Sequence, residues 1–183
     1  LSFEKIEFLF NKYKSSNPFL ILDLEIWKKK LYEFYLLDKE RLTHRKIIAL
    51  EKSFSCEFEG IQIKGVIDRI DSYEDKYEVI DYKTSATLSV DTLKNYDKTD
   101  DFQLEFYYLA MSEMYKTDKI EAYYYDLNNT QLINEIALDK KLELLCEKFN
   151  ELKEISKNEI SFSKCEDKTN CTYCAYSIIC NRE

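Results

Sequence analysis

The hydrophobic pattern of this chain changes period near residue 50, and that change limits the folds open to it. In residues 3–14, Phe3, Ile6, Phe10 and Tyr13 recur at helical spacing with charges between them. Ser16, Asn17 and Pro18 break that stripe, and residues 19–40, rich in Leu, Lys and Glu, read as a longer helix. From residue 51 the period becomes two. Phe54, Cys56 and Phe58 share one strand face, Gly60 marks a turn, and Ile61 to Asp71 form a second strand. Residues 72–76 are a polar turn, and Tyr77 to Tyr82 a third strand. A polar loop over 84–101 leads to a helix over 102–115, with Leu104, Tyr108, Met111 and Tyr115 on one stripe. Strands are expected at 120–126 and 131–138, and a last helix at 139–156, where Cys146 packs as a small apolar residue. Helices, a three-strand meander, a helix, two strands and a helix describe an α+β, or mixed α/β, core.

Composition removes several chemistries. With two glycines and one proline among 183 residues, neither a Walker loop nor a dinucleotide fingerprint can be assembled from Gly60 and Gly65. The single histidine, His44, excludes any site needing two; beside Arg41, Arg45 and Lys46 it reads as a surface residue. No apolar run approaches the roughly 18 residues of a membrane span, and no secretory leader is visible, so a cytoplasmic protein with no membrane partner is expected. The net charge of -8 at first argues against nucleic acid. The first residue is Leu, and the expectation is a piece of a longer chain.

Two carboxylates stand where a strand should be apolar. Asp68 lies in Gly65-Val-Ile-Asp-Arg-Ile-Asp71, and Asp81 and Lys83 in Val79-Ile-Asp-Tyr-Lys-Thr84. A hairpin turning between Glu74 and Asp75 sets Asp68 opposite Asp81, with β-carbons roughly 4.5–5.5 Å apart. Lys83, two residues on, projects from the same face. Facing like charges destabilise a sheet unless a cation lies between them. Mg²⁺ or Mn²⁺ suits such oxygens, and with a lysine alongside the set suits phosphodiester hydrolysis. Spacing alone equally allows solvated ion pairs on an exposed face. Gly65 permits close backbone approach or marks a bulge, and Arg69, on the opposite face, pairs with an acid. Cys165, Cys171, Cys174 and Cys180 follow C-x5-C-x2-C-x5-C. Without a leader, thiolates holding zinc or an iron–sulfur cluster outrank disulfides.

Taken together, Glu51 to Phe58, the Gly65–Asp71 and Val79–Thr84 strings, and Gln103-Leu-Glu-Phe-Tyr107 resemble the RecB-like branch of the PD-(D/E)XK nucleases. That branch carries G-x-[IV]-D-R-[IV]-D, [IV]-D-Y-K-[TS] and Q-x3-Y in this order, and the likeness covers about residues 45–180. It implies a restriction-endonuclease-like core, with a mixed sheet of about five strands flanked by helices and a cysteine-rich cluster-binding tail. It further implies Asp68 and Asp81 as ligands of Mg²⁺ (or Mn²⁺), Glu51 as an outer ligand, and Lys83 as catalytic. Gln103 and Tyr107, sharing a helix face, would touch DNA or brace the active site. Cys171-x2-Cys174-x5-Cys180, with Tyr173 and Tyr176 around it, resembles the tail of AddB-type nucleases, where cysteines hold a 4Fe–4S cluster that staples the domain.

The sequence departs from that pattern in two ways. No cysteine precedes Cys56, so Cys165 would supply the fourth cluster ligand, with zinc the alternative metal. His44 lacks the G-x3-H setting of the family's helix ligand. Both gaps fit an AddB-like subunit cut on its N-terminal side; a free-standing small nuclease is the other reading. The expected division is 1–46 as helical packing, 47–160 as nuclease core and 161–183 as tail. The expected activity is a Mg²⁺-dependent DNA exonuclease of double-strand-break repair and recombination, acting on single-stranded ends beside a helicase domain or subunit. The alternative is a catalytically degenerate DNA-binding or assembly module of the same fold. Lys28 and Arg45, within basic patches, are candidate phosphate contacts.

Overall fold

The structure is a computed structural model describing residues 2–13, 15–85, 87–99, 101–158, 164–166, 168–172, 174 and 176–181. Local chemistry starts each helix. Ser2 accepts from the Lys5 N–H at 3.2 Å to cap α1 (Phe3–Lys12), and Asn17 accepts from the Phe19 N–H at 3.0 Å to cap α2 (Pro18–Arg41), which has Pro18 at its first turn. The two pack together through Phe3, edge-on to Tyr32 and Tyr35 at 4.9 and 4.7 Å, and through the Lys28–Glu7 ion pair at 2.9 Å.

Five strands form one mixed sheet in the order β1 (Lys46–Phe58), β2 (Ile61–Tyr73), β3 (Lys76–Lys83), β4 (Ile120–Asp126) and β5 (Gln131–Asn134). Glu59 and Gly60, at φ 52° and 73°, make the tight β1–β2 turn. All neighbours are antiparallel except β3 and β4, which run parallel because α3 (Gln103–Tyr115) crosses over between them. The final helix is α4 (Leu138–Lys157). This is the expected α+β architecture, a mixed five-strand sheet flanked by helices and consistent with a restriction-endonuclease-like core. Compact units divide at Cys146: one is Leu1–Cys146 and the other Glu147–Glu183.

The sheet's two faces are held by different forces. On the α3 face, Phe54, Cys56, Ile70, Val79, Leu104, Ala110, Met111 and Ala122 form the apolar core. On the α2 face, Arg69, Asp71 and Glu78 are at most 2% exposed. Arg69 donates to Asp71 and to Asp38 of α2, both at 2.8 Å, while Arg41 of α2 donates to Asp71 at 2.7 Å and to Glu78. Phe34 of α2 packs on Tyr125 at 4.7 Å. Arg69 thus pairs with acids, as its place in the alternation implied.

Some boundaries moved. The first strand begins at Lys46 rather than 51, because Ile47, Ala49 and Leu50 join the ladder, with Ile48 at a register shift between them. The last strand ends at Asn134 rather than 138, since Ala137 turns into α4 and accepts the Lys141 N–H. On α3 the buried residues are Leu104, Glu105, Tyr107, Ala110 and Met111, a wider band than the expected stripe. Tyr108 and Tyr115 are only half-buried.

Candidate active site

The β2–β3 register is the one the polar turn dictates. Arg69 pairs with Ile80 and Ile70 with Val79, so the next step brings Asp68 level with Asp81. At that step the backbone ladder stops. The Tyr82 N–H, which would otherwise bond across to β2, is donated to Asp68 Oδ2 at 3.0 Å. The strands part where the two acids stand.

Asp81 is 2% exposed. Its Oδ1 accepts from Gln103 Nε2 at 2.5 Å and from the Tyr107 hydroxyl at 3.3 Å. Its Oδ2 lies 2.8 Å from Lys83 Nζ, yet takes no well-angled hydrogen bond and retains unused lone pairs. Burial raises the carboxyl's pKa most, the Lys83 ammonium opposes that, and the charge of Asp68 raises it again. Lys83, half-buried, also donates to Gln103 Oε1 at 2.5 Å. One Gln103 side chain therefore holds the acid by its amide N–H and the lysine by its carbonyl. Tyr107, one turn along α3, receives a second Gln103 N–H at 3.0 Å, and burial pushes its phenol well above the ordinary range. The four-residue spacing works because α3 packs directly over this face.

Glu51 occupies the ladder position facing Asp68, between the Leu50–Arg69 and Lys52–Ile67 pairs. Its backbone is left-handed at φ 49° and its side chain exposed. Gly65 stands across from Phe54, whose ring covers it, so it provides close approach rather than a bulge. Lys28 and Arg45 are committed to acids: Lys28 to Glu7, and Arg45 to Glu78 at 2.8 Å while stacked on Tyr73. His44 is exposed and lines a cleft of about 740 Å³ with Arg41, Arg45 and Gln131. That cleft does not include the Asp68–Asp81 pair.

In the Glu147–Glu183 unit, a 3-10 turn spans Lys168–Cys171, and Lys164 donates to the Cys180 carbonyl at 2.7 Å. Cys165 and Cys174 are exposed, Cys171 and Cys180 half-buried. Among the described residues no three of His, Cys, Asp and Glu gather as metal ligands. Tyr173 lies outside the described residues. At the sheet site two carboxylates converge, one with unused lone pairs, and one or two carboxylates are the protein's usual share of a magnesium shell completed by water and substrate oxygens.

Two residues near the site had no sequence motif to mark them. Tyr124 of β4, register partner of Asp81, lies with its ring beneath Lys83, and Asp101 precedes α3. The alternation of Tyr123, Tyr124 and Tyr125 says that one face differs from the other. The parallel pairing to β3 decides which.

No curated protein matches the chain. Among solved structures, one described as the crystal structure of SSO0001 is similar at 20% identity, over 85% of this chain and 75% of that one, with a TM-score of 0.35. A family model described as the PD-(D/E)XK nuclease superfamily matches residues 7–181, nearly the whole sequence, and the chain belongs to that superfamily.

Proposed function

We propose that Asp68, Asp81, Lys83, Gln103 and Tyr107 form the catalytic centre of a Mg²⁺-dependent DNA exonuclease of the RecB/AddB type. The reading is supported above all by the parting of β2 and β3 at Asp68 and Asp81, with Lys83 2.8 Å from the buried acid. Asp68 and Asp81 would hold the cation, with Glu51 as an outer contributor. A bound divalent ion supplies Lewis acidity and an activated water. Lys83 places an ammonium where a phosphoryl group gathers negative charge, and Gln103 fixes its distance from Asp81. Tyr107 keeps its phenol proton and restrains the Asp81 carboxylate.

Purified protein with Mg²⁺ should degrade linear single-stranded DNA. Asp81→Ala and Lys83→Ala should each lower the rate about 10²–10³-fold with melting preserved, the usual cost of losing one transition-state contact. Variants that cut like the parent would sink the assignment. A role in double-strand-break repair, beside a helicase domain or subunit, rests on the RecB-like strings at Gly65–Asp71 and Val79–Thr84. For the tail, the C-x5-C-x2-C-x5-C spacing supports a 4Fe–4S proposal on Cys165, Cys171, Cys174 and Cys180. Iron and acid-labile sulfide in anaerobically purified protein test it, and stoichiometric zinc without iron refutes it.

A further inference from the structure

Lys83 has a third neighbour besides Asp81 and Gln103. Its Nζ lies 5.2 Å from the centroid of the Tyr124 ring, within cation–π range. Tyr124 is only 3% exposed and stands beside Asp81 in the parallel β3–β4 ladder. If its work were only to fill the core, a phenylalanine or leucine would serve. Its hydroxyl is instead spent on a specific partner, donating to Asp101 Oδ2 at 3.2 Å. The other Asp101 oxygen accepts the Gln103 backbone N–H at 3.0 Å. Asp101 is itself anchored: its N–H is donated to Thr99 Oγ1 at 3.3 Å, and its carbonyl accepts that hydroxyl at 3.1 Å.

These contacts close on themselves. Lys83 donates to the Gln103 side chain, the Gln103 backbone donates to Asp101, Tyr124 donates to Asp101, and the Tyr124 ring faces Lys83. The circuit joins β3, the first residue of α3, the loop before it, and β4. A long lysine side chain loses substantial rotamer freedom when fixed, so its position depends on how many sides restrain it. Asp81 and Gln103 restrain it laterally. The aromatic face supports it from below while leaving its charge unneutralised, which a third carboxylate would not do. Asp101 meanwhile sets the start of α3, and with it the reach of Gln103.

We propose that Tyr124 and Asp101 are positioning residues for DNA cleavage, acting through Lys83 and Gln103. The inference rests on the nuclease reading above.

The test is steady-state cleavage of linear single-stranded DNA with Mg²⁺, with kcat and KM resolved and melting followed for each variant. Tyr124→Leu keeps the apolar volume and loses the ring. It should lower kcat about threefold to thirtyfold, the span of a cation–π contact, with KM for DNA within about twofold. Tyr124→Phe keeps the ring, loses the Asp101 bond and should fall less. Asp101→Ala, on an exposed residue that leaves the core intact, should lower kcat in the same sense. Asp101→Asn should recover most of that loss, because its carboxamide oxygen still takes the Gln103 N–H. Lys83→Ala is run alongside. If it cuts like the parent, the nuclease reading itself fails. If it is inactive while both Tyr124→Leu and Asp101→Ala keep the parental kcat, only the positioning inference is overturned. Losses carried by KM, or equal losses in Asp101→Asn and Asp101→Ala, overturn it as well.

Discussion

A β-carbon added at Gly65 would lie 2.8 Å from both Cε1 and Cζ of Phe54, the residue directly opposite on β1. Phe54 belongs to the apolar core and cannot swing aside freely, so the clash falls on backbone and ring together. Gly65→Ala should destabilise the protein by about 1–3 kcal/mol in urea unfolding, and the same change in a Phe54→Leu background should cost clearly less. Equal costs in the two backgrounds would refute the close-approach account. Glu105, two residues after Gln103, carries a different strain. It is fully buried, and together with Glu135 and Asp91 it shares the single ammonium of Lys141, at 3.2, 3.1 and 3.4 Å. Burial is the largest cause that lifts its pKa from 4.5 to about 7, with Lys141 opposing and Glu135 adding to the rise. A raised carboxyl favours the folded state only while protonated. Its contribution is complete below pH 4.5 and is lost as pH climbs through about 7. Glu105→Gln should therefore gain on the parent between pH 5 and pH 8, by about 3 kcal/mol at the upper end, read from paired thermal melts. Parallel pH profiles for the two proteins would contradict this.

At the scale of elements, α2 and α3 hold the same sheet by unlike means. The α3 side gains from apolar burial, whereas α2 reaches the sheet with Asp38 and Arg41, meeting Arg69, Asp71 and Glu78 in a buried ionic lattice. Such a lattice adds less net stability than apolar packing of equal volume, but it is costly to leave half-made. Arg69→Met takes from Asp38 its close partner and leaves Asp71 with Arg41 alone, and should cost about 3–5 kcal/mol in urea unfolding. Lys76→Met, which breaks the solvent-exposed pair with Glu121, should cost no more than about 1 kcal/mol. Similar losses at the two positions would mean that the lattice is not buried as described. This lattice is also where reading from residues alone ran short. Arg69 could be assigned an acidic partner, but Asp38 is 31 positions away on a helix whose even mixture of Leu, Lys and Glu shows no preferred face. Lys28 and Arg45 looked available as cations until Glu7 and Glu78 were found beside them. By contrast, the presence and chain order of all five strands followed from local alternation, and the β1–β2–β3 meander from the turns at Gly60 and Glu74.

At the scale of the whole molecule, the candidate site was legible to the extent that short-range rules reach it. A two-residue turn at Glu74 and Asp75 sets the register that brings Asp68 level with Asp81, and helical spacing sets Tyr107 beside Gln103. Tyr124 and Asp101 lay beyond those rules, because their placement needs the parallel crossover through α3, which no short motif specifies. On the proposed reading the acidic balance of -8 is a poor guide to function, since the acids it puts to work are two buried or half-buried carboxylates rather than the surface sum. The parting of β2 and β3 has a practical consequence as well. The Tyr82 N–H is donated not to a backbone carbonyl but to the carboxylate side chain of Asp68. On the proposed reading it is a resident spectroscopic reporter. In a ¹⁵N–¹H spectrum its resonance should move as Mg²⁺ is added and be insensitive to Mg²⁺ in Asp68→Ala. A Tyr82 signal that ignores Mg²⁺ in a protein that still needs Mg²⁺ to cut would remove Asp68 from the ligand set. A signal that follows Mg²⁺ would give the chain, at its own broken rung, a direct gauge of how full the site is.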